Sequence, residues 1–205
     1  MKIVTPTWKT LDSVFGGRVK WIVISSPWFS AEGITNLGRL LPDEKVKAIN
    51  GMEIWFRMNV EDHILGMADY EGLLDFAERI HAQLGDRLRL YESDGLHAKV
   101  YASDRKVLIA SANLTKNGFE GNVEIGVLEA LSAPDKDSLK CVLDKQRKRL
   151  NEVSISRLRT FVDRLKSEAV RNARQQVSRT LTRSRKELSL ELLEEKSPHS
   201  KFPLR

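Results

Sequence analysis

The strongest constraint on the fold is the alternation of apolar runs with amphipathic segments in the first half of this 205-residue chain. Residues 20–25 and 51–58 are apolar runs rich in β-branched and aromatic side chains, which predicts buried strands. Between them, residues 30–41 carry apolar side chains at helical spacing, and residues 68–84 repeat that pattern. Strands that alternate with helices predict an α/β fold.

A cluster of predicted strands follows the second helix. Residues 87–91 alternate charged and apolar side chains, as a half-buried strand does. Further strands are predicted at 97–101, 106–110 and 122–128, with little chain between them. The expected architecture is therefore a mixed β-sheet flanked by helices.

The last third of the chain reads differently. A helical pattern begins at Pro134 and runs with few breaks to about residue 193, but its apolar stripe thins beyond residue 171. We expect a catalytic domain over 1–132 and a helical, Arg/Lys-rich extension over 133–205. The basic part of this extension is an exposed helical arm, a thin coiled-coil seam, or a segment that becomes ordered on binding.

The charge is divided unevenly along the chain. Residues 1–139 hold 16 Lys/Arg and 20 Asp/Glu, whereas residues 140–205 hold 18 and 8. The excess of positive charge therefore lies at the C-terminal end, which is typical of a region that meets a polyanion and equally of a solvated helix face. The candidate phosphate-binding residues are Arg147, Lys148, Arg149, Arg171, Arg174, Arg179, Arg183 and Arg185.

Several classes of protein are excluded or disfavoured. No run of 18 apolar residues is present, so we expect no transmembrane helix and no membrane partner. The N-terminus lacks the apolar run of a signal peptide. The single cysteine, Cys141, cannot form an intrachain disulfide. Together these features predict a cytoplasmic protein.

The segment richest in chemistry begins at His97. Lys99 lies two residues further on, and Asp104 follows after four intervening residues. On a strand, His97 and Lys99 would share a face. An ammonium group can hold a phosphate while the neighbouring imidazole attacks it or moves a proton. A histidine without such companions is more often a buried residue of the core.

Two later segments complement this pair. Ser111 and Asn113 follow a predicted strand and can donate to phosphoryl oxygens. Glu124 interrupts an otherwise apolar strand, and a buried carboxylate needs a partner. An imidazole is the natural partner, because the carboxylate would fix its tautomer and stabilise its charged form.

In this order, the three segments resemble the His-Lys-Asp motif of the phospholipase D superfamily with its trailing Ser/Asn and Glu elements. The resemblance covers about residues 18–130 and is nearest to the single-motif nucleases and restriction-endonuclease-like members. Ala110 departs from it, since members usually carry glycine there. The resemblance implies a phospholipase D-like sheet and a phosphodiesterase.

The resemblance also implies roles for individual residues. His97 is the nucleophile or the general acid. Lys99 and Asn113 bind the non-bridging phosphoryl oxygens, with Ser111 assisting. Glu124 orients a histidine, and Asp104 supports the motif structurally.

The chemistry of that family uses two imidazoles, one that attacks phosphorus and one that protonates the leaving oxygen. His63 and His81 have no lysine two positions later. His199 does, but only four residues follow that lysine, too few for the rest of the motif. The second imidazole is therefore expected from a second copy of the chain in a homodimer. No metal and no cofactor are expected.

Three functions remain open. The first is a metal-independent nuclease that cleaves nucleic acid through a phosphohistidine intermediate, with DNA favoured over RNA as the substrate. The second is a phospholipid diester hydrolase. The third is a non-catalytic nucleic-acid-binding or assembly subunit that retains the motif. Because no base-reading module is recognisable, a partner protein that supplies sequence specificity is a further expectation.

Overall fold

The framework is an eight-stranded mixed β-sheet with helices on both faces, in a computed structural model that describes residues 1–167 and 170–182. The strands are β1 Lys2–Val4, β2 Trp21–Ser25, β3 Gly51–Phe56, β4 Leu88–Glu92, β5 Val100–Ser103, β6 Lys106–Ala110, β7 Gly126–Ala130 and β8 Asn151–Val153. The helices are α1 Trp8–Phe15, α2 Ala31–Leu40, α3 Asp43–Lys47, α4 Val60–Ile64, α5 Tyr70–Leu84, α6 Ala133–Arg147 and α7 Ile155–Leu165, followed by a helix over 170–182. The predicted fold class is confirmed.

The strand order is β1-β7-β6-β5-β2-β3-β4-β8. Strands β2, β3 and β4 are parallel and are joined by helical crossovers. Strands β5, β6 and β7 form an antiparallel meander beside β2. Because of these strand directions, one edge of the sheet carries the last residues of β2, β3, β4 and β6 together with the first residues of β5 and β7. This edge, beside which the predicted catalytic residues His97, Lys99, Asn113 and Glu124 lie, is called the catalytic edge below.

The two faces of the sheet are covered unequally. Helices α1, α2, α5 and α7 pack on one face around a large core that contains Ile22, Ile54 and Leu90. On the other face α6 presents Leu143 to a smaller cluster that includes Trp55. The larger core holds the scaffold from which the catalytic edge projects.

Helix α5 shows why the local predictions succeed. Asp69 caps it by accepting a hydrogen bond from the backbone N–H of Gly72, and the chain leaves it at Gly85 with a φ of +56°, which favours glycine. The apolar stripe predicted over 68–84 is buried throughout: Leu73, Leu74, Ala77, Ile80 and Leu84.

Two predicted strands begin later than expected. Strand β5 begins at Val100 rather than at residue 97, and β7 begins at Gly126 rather than at residue 122. Val100 pairs with Ser25, the last residue of β2, and Gly126 pairs with Ala110, the last residue of β6. Beyond these pairs there is no strand to bond to. His97, Lys99 and Glu124 therefore lie in loops, and the predicted placement of each on a strand is wrong.

The predicted near-continuous C-terminal helix is also interrupted. Strand β8 pairs with β4, and α7 then buries Leu158, Val162 and Leu165 in the larger core. The sequence pattern predicts this apolar stripe, and the sheet supplies its partner. The division at residue 132 stays a prediction, and β8 and α7 are packed on the sheet of the predicted catalytic domain.

Some predictions fall on residues whose structure is not described. Arg183, Arg185, His199 and the helical prediction beyond residue 182 lie outside the described residues. Among the described residues, no helix has the length and apolar character needed to cross a membrane. Cys141 is an exposed, free thiol.

Candidate active site at the catalytic edge

Five of the six predicted site residues lie at the catalytic edge. His97 and Lys99 immediately precede β5, Ser111 and Asn113 follow β6, and Glu124 precedes β7. The meander of β5, β6 and β7 brings these three chain segments together because its strands start and stop at the same sheet edge. The predicted cluster is thus assembled from separate parts of the sequence.

The loop that carries His97 and Lys99 is fixed through its backbone. The buried Ser25 hydroxyl donates a hydrogen bond to the Ala98 carbonyl over 3.0 Å. The Ala110 N–H donates to the Lys99 carbonyl over 3.1 Å. His97 is exposed to solvent while Lys99 is only 7% exposed. The ring is thus reachable by a large substrate, and the Lys99 side chain is largely shielded from solvent.

Burial changes the protonation of Lys99. It lowers the pKa of the Lys99 ammonium below the ordinary value of 10.5, and the Glu124 carboxylate offsets part of this effect. A partly desolvated ammonium interacts more strongly with an arriving anion than an exposed one does.

Ser111 and Glu124 form the second part of the site. The Ser111 hydroxyl donates to Glu124 Oε2 and also accepts a hydrogen bond from the Ile125 N–H at 3.1 Å. The Asn122 amide donates to Glu124 Oε1 over 3.3 Å. The carboxylate is therefore held by a hydroxyl and an amide of its own chain. Its predicted role of orienting a histidine stays a prediction.

The loop of Asn113 is anchored to the end of β2 and the start of α2. The Leu114 N–H donates to Ser26 Oγ over 2.9 Å, and the Ser30 N–H donates to the Leu114 carbonyl over 3.1 Å. Asn113 Oδ1 is buried and has no hydrogen-bond partner among the described residues. A buried acceptor without a donor costs free energy, and an ordered water, an ion or a donor group of a ligand can supply the missing partner.

Gly33 permits this close approach. An added Cβ at Gly33 would lie 2.1 Å from the Leu114 carbonyl oxygen, so a larger residue in this turn of α2 would displace the loop. No sequence pattern predicted this contact or the part played by Ser25 and Ser26. The only signal for the two serines is their position at the end of an apolar strand.

Asp104 lies elsewhere. It occupies the turn between β5 and β6, at the opposite edge of the sheet and roughly 13 Å from the start of β5 at 3.3 Å per strand residue. Its Oδ1 accepts a hydrogen bond from the Lys20 N–H at 2.6 Å. The structure thus does not bring Asp104 to the other predicted residues, and the carboxylate ties two backbone segments together.

The candidate nucleic-acid-binding residues differ in their surroundings. Arg147 donates from Nε and Nη2 to the two Glu53 oxygens, at 3.0 and 2.8 Å, and is also paired with Asp144. Arg174 Nη1 lies 3.4 Å from His63 Nε2, and burial together with Arg174 lowers the pKa of His63. The remaining described candidates are exposed: Lys148, Arg149, Arg171 and Arg179. Within the described residues, no three His, Cys, Asp or Glu side chains converge on a metal-sized space.

No protein-family model and no curated protein matches the sequence. Solved structures do match the fold. Nuc, a phospholipase D family member from Salmonella typhimurium, aligns with a TM-score of 0.50 at 15% identity, over 70% of this chain and 88% of Nuc. NucT from Helicobacter pylori aligns with a TM-score of 0.50 at 15% identity, over 70% of this chain and 92% of NucT.

A third match is the phosphatidylserine synthase of Haemophilus influenzae Rd KW20. Its TM-score is 0.52 at 18% identity, over 82% of this chain but only 43% of the synthase. At such low identity the three matches establish the fold. The resemblance inferred from residues 97–128 is confirmed at that level.

Proposed function

The chain has the fold of the phospholipase D superfamily, and from this premise we propose that it is a phosphodiesterase that cleaves nucleic acid, with DNA favoured over RNA as the substrate. The observation that carries the proposal is the assembly at one sheet edge of an exposed imidazole, a buried ammonium group and an amide. These groups come from two separate loops, and each was predicted from the sequence.

The first chemical step is attack on phosphorus. A ring nitrogen of neutral His97 forms a bond to phosphorus while the bond from phosphorus to the leaving oxygen breaks. Lys99 and the Asn113 amide donate to the non-bridging oxygens, on which negative charge accumulates. The exposure of His97 lets a polymer reach it, and the burial of Lys99 strengthens its interaction with that charge.

The second step clears the phosphohistidine. A second imidazole, protonated at the start, has by then given its proton to the leaving oxygen during the first step. It then takes a proton from the water that attacks phosphorus and releases His97. One diester and one water become one monoester and one alcohol, and both imidazoles return to their initial state. We propose that the second copy of the chain contributes its own His97 in a homodimer.

The proposal requires no metal ion. Lys99 and the donors around it supply the positive charge that divalent ions supply in two-metal nucleases. No cofactor is needed because the two histidines carry the covalent and proton-transfer steps. A chelator should therefore leave cleavage unchanged.

Nucleic acid is the favoured substrate because of the charge of the C-terminal region. Lys148, Arg149, Arg171 and Arg179 are exposed and can approach a phosphate backbone. A phosphatidyl diester carries the same phosphorus chemistry but does not call for this extended basic surface. Partner proteins that supply sequence specificity remain part of the proposal.

The test is a cleavage assay in EDTA on single- and double-stranded DNA, RNA and a phosphatidyl diester. His97→Ala should abolish cleavage of the preferred polymer, a loss of at least about 10⁴-fold. His81→Ala is the matched control, because it removes another exposed histidine at the end of α5, away from the catalytic edge.

Each other outcome decides against part of the proposal. Retained cleavage by His97→Ala would exclude its role as nucleophile. Hydrolysis of the phosphatidyl diester alone would show that the substrate is a phospholipid and not a nucleic acid. Binding of nucleic acid without any cleavage would make the chain a non-catalytic binding subunit.

A further inference from the structure

Buried polar atoms without hydrogen-bond partners gather at the catalytic edge. Among the described residues, six side-chain atoms are of this kind, and five of them belong to segments that follow strand ends there: Trp28 after β2, Arg57, Asp62 and His63 after β3, and Asn113 after β6. A folded chain ordinarily pairs such atoms, so each one calls for an explanation. The segment after β3 holds three of the five and is separate from the loops of the candidate active site.

Arg57 lies close to the candidate active site in the sheet. It directly follows β3, and its N–H donates to the Pro27 carbonyl over 3.4 Å, which continues the pairing of β2 with β3 past Ser25. The Ser25 hydroxyl holds the loop of His97 and Lys99 through the bond described above. Strand β2 lies between β3 and β5, so the Arg57 backbone is roughly 10 Å from that loop across the sheet, or two strand spacings.

The segment that carries Arg57 is fixed on its far side as well. The Asn59 N–H donates to the hydroxyl of the buried Tyr70 over 3.1 Å. The Asn59 side chain in turn caps α4 by accepting from the Glu61 N–H at 2.7 Å. The Arg57 side chain therefore projects from an ordered segment, which lowers the entropy that a ligand would cost by immobilising it.

The Arg57 guanidinium is mostly withdrawn from water and yet poorly paired. Its side chain is 23% exposed, and Nε lies 3.5 Å from Oδ2 of the buried Asp62. No hydrogen bond crosses this gap, since both atoms are without a partner. Within residues 1–167 and 170–182, no other carboxylate lies within ion-pair distance of Arg57. A guanidinium has five donors in a fork that fits phosphate oxygens, so Arg57 has donors to spare for an oxyanion.

We infer that Arg57 binds a phosphate that flanks the scissile one, so that the backbone of the nucleic acid crosses the strand ends from Lys99 to Arg57. The inference rests on the proposed function, and it adds a residue that selects a polymer over a diester with a single phosphate. Trp28, in the loop that follows β2 between the two cations, carries an unpaired indole N–H as a further donor. The phosphate supplies the acceptors that Asp62 does not.

Oligonucleotides with selected uncharged linkages measure this contact. A DNA strand with methylphosphonate at all linkages except a central diester presents a single charged phosphate. Companion strands restore one charged phosphate at a time on either side of it. In the wild type, one of these restored phosphates should raise kcat/KM for central cleavage by at least about 10-fold, as a charge-assisted hydrogen bond would.

Two variants of the ion pair should move in opposite directions. Arg57→Gln combined with Asp62→Asn should abolish the gain from the flanking phosphate, and the second change avoids a buried carboxylate without its cation. Asp62→Asn alone releases the guanidinium and should raise the affinity for DNA by at least about 3-fold. Arg39→Gln and Glu61→Gln are the matched controls for the two charges, because both side chains are exposed, Arg39 in the last turn of α2 and Glu61 next to Asp62.

Fluorescence anisotropy with single-stranded DNA over a salt series separates this inference from the proposed function. The double variant should have a slope of log K against log[salt] that is smaller by about 0.7 than that of Asp62→Asn. A wild type that binds DNA with this difference but cleaves no diester would overturn the proposed function and leave the Arg57 contact in place.

Circular dichroism verifies that each variant is folded. A folded double variant that keeps both the gain from the flanking phosphate and the salt slope would make Arg57 a structural partner of Asp62, and the nuclease would stand without this contact. If the double variant does not fold, Asp62→Asn decides: an affinity no higher than that of Glu61→Gln overturns the inference, and a higher one supports it.

Discussion

The Lys99 ammonium nitrogen lies 3.2 Å from His97 Nδ1 and 3.4 Å from His97 Nε2. A donor on the lone-pair axis of one ring nitrogen would be much farther from the other, because the two axes diverge. The ammonium group is therefore beside the ring and off both axes. Both nitrogens remain available, one to attack phosphorus and the other to bond a carboxylate.

The lowered pKa of Lys99 leads to a prediction about pH. As pH rises through that pKa, the ammonium group loses its proton and its attraction for phosphate. We expect the alkaline limb of kcat/KM to fall below pH 10.5, and Lys99→Arg to move it upward because the guanidinium keeps its charge. A pH–rate profile of both proteins measures the shift, and Lys106→Arg serves as the control substitution. An identical limb in Lys99→Arg would assign it to another group.

The lowered pKa of Lys99 also predicts that the free energy of unfolding increases at alkaline pH, where kcat/KM is expected to fall. Because the pKa of Lys99 is lower in the folded chain than in the unfolded chain, the charged ammonium group costs stability at neutral pH. This cost disappears as pH rises from the folded-state pKa to 10.5. Bound phosphate should reduce the cost by stabilising the charged form.

The contact between α2 and the Asn113 loop yields a second prediction. Gly33→Ala would place a methyl group against the Leu114 carbonyl, so we expect lower stability and a lower cleavage rate as Asn113 moves. Gly38→Ala is the matched control in the same helix, because its Cβ would meet only the Arg79 guanidinium at 3.8 Å. That change should stabilise the helix by about 0.5–1 kcal/mol.

Thermal unfolding and single-turnover cleavage of both alanine variants make the comparison. A Gly33→Ala protein with unchanged rate and stability would mean that the loop accommodates the methyl group. It would also remove Gly33 from the account of how Asn113 is positioned.

The sequence predicted those parts of the fold that depend on local patterns. Helix α5 has its cap, its apolar stripe and its terminating glycine in one segment, so a local pattern suffices to predict it. The strands that the sequence predicts at His97 and Glu124 start several residues earlier than the observed strands. A strand can form only where a neighbouring strand is present to pair with it, and the sequence does not show where that neighbour ends. Ser25 and Ala110 are distant in sequence from the loops whose pairing they limit.

For the candidate site, too, the sequence predicted the local features but not the contacts between distant segments. Residue types and their order identified His97, Lys99, Ser111, Asn113 and Glu124 as one group. The partners of these residues could not be predicted, since Ser26 and Gly33 both contact Leu114, which lies more than 80 residues away from either along the chain.

Asp104 provides a third prediction. Its carboxylate accepts from the Lys20 backbone at the edge opposite the site, so Asp104→Ala should lower the free energy of unfolding by about 1 kcal/mol. The value of kcat should change little at temperatures where the variant is folded. Urea denaturation and cleavage at about 25 °C measure the two effects. A large loss of kcat with unchanged stability would return Asp104 to the catalytic machinery.

The last prediction separates basic residues that bind nucleic acid from those that hold the fold. Arg171→Ala with Arg179→Ala should lower affinity for double-stranded DNA and reduce the slope of log K against log[salt] by about 0.9 for each phosphate that the variant no longer neutralises. Arg147 is bonded to both oxygens of the half-buried Glu53, so Arg147→Ala leaves that carboxylate without its cation and with the Trp55 indole N–H as its remaining donor. It should lower the free energy of unfolding by about 2 kcal/mol and leave the salt slope unchanged.

Fluorescence anisotropy with labelled DNA at several salt concentrations, together with thermal melts, measures both quantities for each variant. Lys47→Ala is the control for a change of one positive charge, since Lys47 lies on α3 at the surface of the main body. If Arg147→Ala alone reduced the salt slope, its pairing with Glu53 would have to open on DNA binding. If the double variant kept the slope of the wild type, helix 170–182 would have no part in binding DNA.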